Sequence, residues 1–176
     1  MNTGLIAGAV KPLRGTLDAN GCVYAIIRST GGDSINFGAN KLTLNVIAYD
    51  PNNLVSLTSS VFTLRAGSYI FIGQTTIWLG QTEGIAGCQL KIRNTSDSID
   101  VANSALTSSG VTSSGGLAGI DSYDTHSHVL MGQITITSGS KNFELQAYSL
   151  TSGPTYLAGQ TSNSGNVNQV LIIKVS

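Results

Sequence analysis

The stretch Ser59 to Trp78, SSVFTLRAGSYIFIGQTTIW, constrains this chain most, because its second half is apolar on both faces. A β-strand sends successive side chains to opposite sides. In the first run Phe62 and Leu64 share one side and Val61 and Thr63 the other, the pattern of a half-buried strand. Beyond an Ala66-Gly67 turn, Tyr69, Phe71 and Gly73 take one face, Ile70 and Ile72 take the other, and no charge follows until Glu83. Two apolar faces need two covers: a packed sheet of the same domain, and either a neighbouring subunit or an unusually thick core. The subunit is the expectation.

Composition points the same way. Nine basic and nine acidic residues cancel, and charged residues make up 10% of the chain, against roughly 25% in ordinary soluble domains. So little charge gives weak protection against association, which suits a protein whose working state is an assembly. Nucleic acid is not expected as a partner, because phosphate neutralisation needs clustered Lys and Arg and the nine here form no patch in sequence. At 176 residues the chain fits one domain and needs no disulfide or metal to fold. Its two cysteines, Cys22 and Cys88, are expected as buried free thiols, with a single bridge the alternative. The opening MNTGLIAGAV has no positive charge before its apolar run, the reverse of a secretory signal, and no stretch approaches a membrane span. A protein made in the cytoplasm of its host, not exported by the usual route and without a membrane partner, is the expectation.

Residues 1–20 read as an extended arm and residues 21–176 as one domain of successive strands. CVYAIIRS leads to the turn cluster Gly31-Gly32-Asp33, and KLTLNVIAYD alternates with Leu42, Leu44 and Val46 on one face. In the turn DPNN, Pro51 supplies a fixed φ and Asp50 a carboxylate able to bond back to the backbone. Further strands fall at 87–93, 129–137, 142–150 and 167–175, while 107–119, TSSGVTSSGGLAG, reads as a flexible loop. IDVANSALTSSG is the nearest approach to a helix, and its Ser, Thr and Asn content makes it a poor one. Short strands at this spacing mean an all-β sandwich or barrel.

The order of features in KLTLNVIAYDPNNLVSLTSSVFTLRAGSYIFIGQTTIW resembles the globular-head module of the complement and tumour necrosis factor superfamily. Phe62, Gly67, Tyr69 and Phe71 carry the resemblance best. CQLKIRNTSDSIDVA follows as the next strand and turn, SHVLMGQITITSGSKNFELQAYSL as a hairpin turning at Gly139, and NQVLIIKVS as the closing strand. Arg65 stands where the family usually has Pro, and no collagen-like stalk precedes the module. Stalkless modules of this kind are common in bacteriophage virions. The resemblance implies a jelly-roll sandwich assembled as a homotrimer, with Tyr69, Ile70, Phe71, Ile72 and Trp78 at the contact between subunits.

Chemistry-bearing residues are few. His126 and His128 are two apart and share a side if extended; two idle loop histidines are the expectation, the alternative being a trimer with this segment near its axis that gathers six imidazoles around a metal, and no cofactor is expected. Asp97 and Asp100, like Asp121 and Asp124, flank turns without the dense spacing of a calcium loop, so turn capping is expected of them. No Gly-x-Ser-x-Gly, phosphate-binding glycine loop or partnered His-Ser pair is present, so an enzyme is not expected. Tyr123, Tyr148 and Tyr156 could face a glycan or simply pack.

The resulting expectation is a trimeric decoration or cement protein on a phage capsid surface. The arm residues Leu5, Ile6, Val10 and Leu13 would anchor it to the major capsid protein, and Lys11 and Arg14 would meet acidic rims. The alternative is a tail-fibre tip binding a receptor or host-surface glycan.

Overall fold

A computed structural model describes residues 23–35, 37–79, 84–104, 107–111, 124–149, 156–158 and 168–175; within these, the side chains of 34, 77–79, 84–87, 107–111, 124–126 and 156–158 are not described. The arm residues Leu5, Ile6, Val10, Lys11, Leu13 and Arg14, together with Cys22, Asp121 and Tyr123, lie outside the described residues.

Every regular element among the described residues is a strand, in the order β1 Val23–Arg28, β2 Asp33–Ile35, β3 Gly38–Lys41, β4 Val46–Tyr49, β5 Ser56–Thr58, β6 Val61–Leu79, β7 Gly84–Asn94, β8 Ile99–Asn103, β9 Thr107–Val111, β10 Asp124–Ser149, β11 Tyr156–Ala158 and β12 Gln169–Lys174. The main path of pairing runs β4-β1-β12-β6-β10-β7-β8, antiparallel throughout.

The spine is the β6–β10 ribbon, paired from Asp124↔Leu79 through to Phe143↔Phe62. Its lower half joins β12, β1 and β4 in an inner layer, and its upper half joins β3, β7 and β8 in an outer one. Where it passes between layers, β10 advances four residues, from Ile136 to Ser140, while β6 steps two, from Gly67 to Arg65. Gly67, at φ 150, and Gly139, at φ 69, sit at this junction, in backbone regions that other residues rarely adopt. The core-facing side changes there on both strands: Phe62 and Leu64 are buried before it on β6 and Tyr69 and Phe71 after it, while on β10 Leu130 and Ile136 give way to Phe143, Leu145 and Ala147. Phe62, Phe71 and Phe143 meet at this corner with ring centroids 5.4–6.0 Å apart, so one aromatic cluster ties the two layers together.

This corrects two readings of the sequence. Ala66-Gly67 is not a turn between two strands, and the segment through Gly139 is not a hairpin. Both halves of each segment pair with the same partner strand, and the extra residues are absorbed as a bulge. The 107–119 stretch also differs, since Thr107–Val111 adds as a strand to Gly84–Cys88. Backbone hydrogen bonding to β7 holds the Ser108-Ser109-Gly110 centre of this strand, whose residues do not favour one. IDVAN, the nearest approach to a helix, is strand β8. Leu42 and Leu44 are buried as expected, but they lie in the link between β3 and β4, and Val46 is half-buried. Asp50 does cap its turn, accepting from the amides of Leu54 at 2.8 Å and Val55 at 2.9 Å.

Candidate interaction surface

The alternation along β6 settles which of its residues face where. Tyr69 and Phe71, expected at a subunit contact, belong instead to the core of their own chain, where both are buried. The Tyr69 hydroxyl donates to the Arg65 carbonyl at 2.9 Å, and burial raises its pKa against the opposing pull of Arg65. Ile70 and Ile72 take the other face, away from the core, and remain half-exposed. Trp78 stands in β6 opposite Thr125 and Leu157, its side chain not described.

Register extends that outward face across the inner layer. Ile72 pairs with Leu171 on β12 and Met131 on β10, and Leu171 with Ile26 on β1, which pairs with Tyr49 on β4. One rung along, Ile70 pairs with Ile173, and Ile173 with Tyr24. The Tyr24 and Tyr49 rings stack at 4.7 Å between centroids, closing one border of the band. The other border is the most exposed part of it: Met131 is 71% and Val129 60% accessible. Arg28, Gln169 and Gln74 form a polar rung on one side, and Ser68 and Thr135, their hydroxyls 3.2 Å apart, mark the opposite side. Inside these limits the described residues carry no charge.

The outer layer presents the opposite chemistry. Asp100 accepts from Lys91 at 3.0 Å and from Arg93 at 2.9 Å, and Lys91 lies 4.8 Å over the Tyr148 ring. Lys141 bonds Asp97 at 2.6 Å. The ion pairs thus lie on the outer layer and the apolar band on the inner one. A solvated antiparallel sheet normally turns a polar face outward, and contiguous exposed apolar patches larger than a few hundred Å² mark interaction sites.

Asp97 and Asp100 are held by basic side chains of their own chain. The Lys141 hydrogen bond is the main cause lowering the Asp97 pKa; burial raises that of Asp100, but the Lys91 and Arg93 hydrogen bonds overcome it. Asp97 also accepts from Asn94, whose own carboxamide oxygen takes the Asp97 amide. Among the described residues no group of three metal-ligating side chains occurs.

His128 is not where a shared metal site requires it. Its side chain is 2% exposed and faces the core, opposite Thr75, so six imidazoles cannot gather through it on the outward face. It ends a buried polar row that the sequence did not reveal. Ser29 and Asn168 exchange backbone and hydroxyl hydrogen bonds at 2.8 and 3.0 Å. The Thr75 hydroxyl donates to Asn168 at 2.6 Å, and the Asn168 amide donates to Asp33 at 2.7 Å. Asp33 in turn accepts from the Thr43 amide and hydroxyl at 2.7 and 2.5 Å. These bonds seal one end of the core with satisfied groups. Cys88 is buried as a free thiol.

Comparison with solved structures matches this architecture to tumour necrosis factor-like proteins. The crystal structure of murine APRIL at pH 5.0 superposes with a TM-score of 0.54 at 9% identity, covering 88% of this chain and 99% of that one. Eiger TNF from S. frugiperda gives a TM-score of 0.51 at 14% identity, covering 88% and 93%. No protein-family model and no curated protein sequence matches. The fold is therefore an all-β jelly roll of the TNF-like class.

Proposed function

We propose that this protein is a self-assembling structural subunit, and that three copies, clasped through the inner layer, form a decoration or cement trimer on a bacteriophage capsid. The observation that carries the reading is the uncharged apolar band centred on Ile70, Ile72, Leu171 and Ile173. Covering it with further copies removes that surface from water, which is the dominant favourable term in association. The trimer is also the state that the TNF-like fold implies.

For the capsid role the support comes from the sequence: zero formal charge, and an arm whose Leu5, Ile6, Val10 and Leu13 offer apolar anchors beside Lys11 and Arg14. In this reading the arm lies across seams between major capsid proteins. A subunit that binds only the assembled shell stabilises that state by mass action.

Imaging virions with and without the protein tests the role. Hundreds of copies spread over the shell support the cement function; a handful at the tail would replace it with receptor or glycan recognition. Deleting residues 1–20 should leave a soluble trimer that no longer decorates shells. Full decoration by the truncated protein would refute the arm's part.

A further inference from the structure

The two ends of the sandwich are held by different forces. At the corner the Phe62, Phe71 and Phe143 rings join the layers by contact. At the far end a polar rung crosses the inner layer instead: Ser29 just after β1, Asn168 just before β12, Thr75 on β6 and His128 on β10. None of the four is more than 3% exposed. Hydrogen bonds join the first three, and His128 takes the fourth place, opposite Thr75. Gly73, the next inward position on β6, adds no side chain of its own, and Leu130 and Leu145 close over it. This end therefore depends on its polar groups more than the corner does.

We infer that the rung is an acid-sensitive latch: protonation of His128 opens this end of the sandwich while the aromatic corner stays closed. An imidazole in water gains its proton below about pH 6.5, and a charge taken out of water is costly. The rung neighbours Ser29, Asn168 and Thr75 are neutral. From the opposite layer Cys88 is buried, and burial keeps its thiol protonated. From β2 comes the one described carboxylate at this end, Asp33; it lies beyond Asn168 and already accepts from Asn168 and Thr43. Tyr69 is six positions along β6, toward the corner. On β10 itself Asp124 and His126 lie further out, with side chains not described. The closed end thus favours the neutral ring, whereas an opened end takes the proton freely. Closure is secure above about pH 6.5 and weakens as pH falls below it. The latch lies within one chain and is independent of the assembly proposed above.

Amide hydrogen exchange on the untagged chain, corrected for the intrinsic effect of pH, reads the opening. The Asn168 amide donates to the Ser29 hydroxyl and the Ser29 amide to the Asn168 carbonyl, so both report on the rung. Between pH 7.5 and pH 5.0 their opening equilibrium should rise about 30-fold, with the Phe62 and Phe143 amides unchanged. His126→Gln should keep that rise and His128→Gln should abolish it. Should His128→Gln fold poorly, the His126→Gln protein retains one imidazole, and its ring-proton resonance should hold the neutral position until the rung amides open. A ring that is already protonated at pH 7.5, or that titrates near pH 6.5 with the rung amides still protected, would overturn the inference. So would unchanged protection at pH 5.0, a rise that survives His128→Gln, or equal acceleration at Phe62 and Phe143.

Discussion

Gly132 on β10 lies directly beneath Ala102 on β8: a Cβ added at 132 would stand 2.5 Å from the Ala102 Cβ and 2.7 Å from the Val101 carbonyl oxygen. The two layers touch there with no room for a methyl group. Gly132→Ala must push the backbone of β8 outward, and overpacking of this kind costs about 1–3 kcal/mol. Urea denaturation should show that loss, whereas Gly31→Ala, with nothing within 4 Å of an added Cβ, should not show a packing penalty.

Asn168 is the centre of the sealed end, linking Ser29, Asp33 and Thr75. Asn168→Ala strands the Thr75 hydroxyl and takes a donor from Asp33, each a loss of about 1–3 kcal/mol. Denaturant midpoints should fall accordingly, and Thr75→Ala should fall less, since it removes one of these bonds rather than several.

Acid should weaken the fold through Asp97 and Asp100. Both carboxyls titrate lower in the folded chain than in the unfolded one. Their contribution is therefore present above the unfolded value of about 3.9 and disappears as pH falls through the lower folded value. Thermal melts from pH 6 to pH 3 should show a decline that Asp97→Asn with Asp100→Asn makes shallower. The effect is small, because these pairs are partly solvated.

Cys88 should resist thiol reagents. Burial raises its pKa to about 11, so almost no thiolate exists at pH 8 and access is blocked as well. A Cys22→Ser variant should label with maleimide only in denaturant. Rapid labelling of the native variant would show that β7 opens at this point.

Much of this was legible in the chain before any coordinates. The run Tyr69 to Ile72 is legible as a strand with two apolar faces, because strand alternation is a local rule. Asp50 announced its own turn for the same reason. What stayed hidden depends on register. Nothing local shows that Ile72 stands between Leu171 and Met131, so most of the apolar band is invisible in the sequence, and alternation separates Tyr69 and Phe71 from Ile70 and Ile72 without saying which pair faces the core. Gly139 was legible as a special backbone position, yet whether it makes a turn or a bulge is decided by the partner strand. His128 was equally opaque: only its pairing with Thr75 places it inside, and Asn168 gains its role from contacts with residues more than ninety positions away.

Mass in solution tests the central claim most directly. The account predicts that the full chain sediments at three times its 18.2 kDa chain mass. Ile72→Asp, which sets a charge at the middle of the apolar band, should reduce it to one chain with its far-ultraviolet circular dichroism unchanged. A native protein that sediments as a single chain at micromolar concentration, with its inner layer open to water, would contradict it.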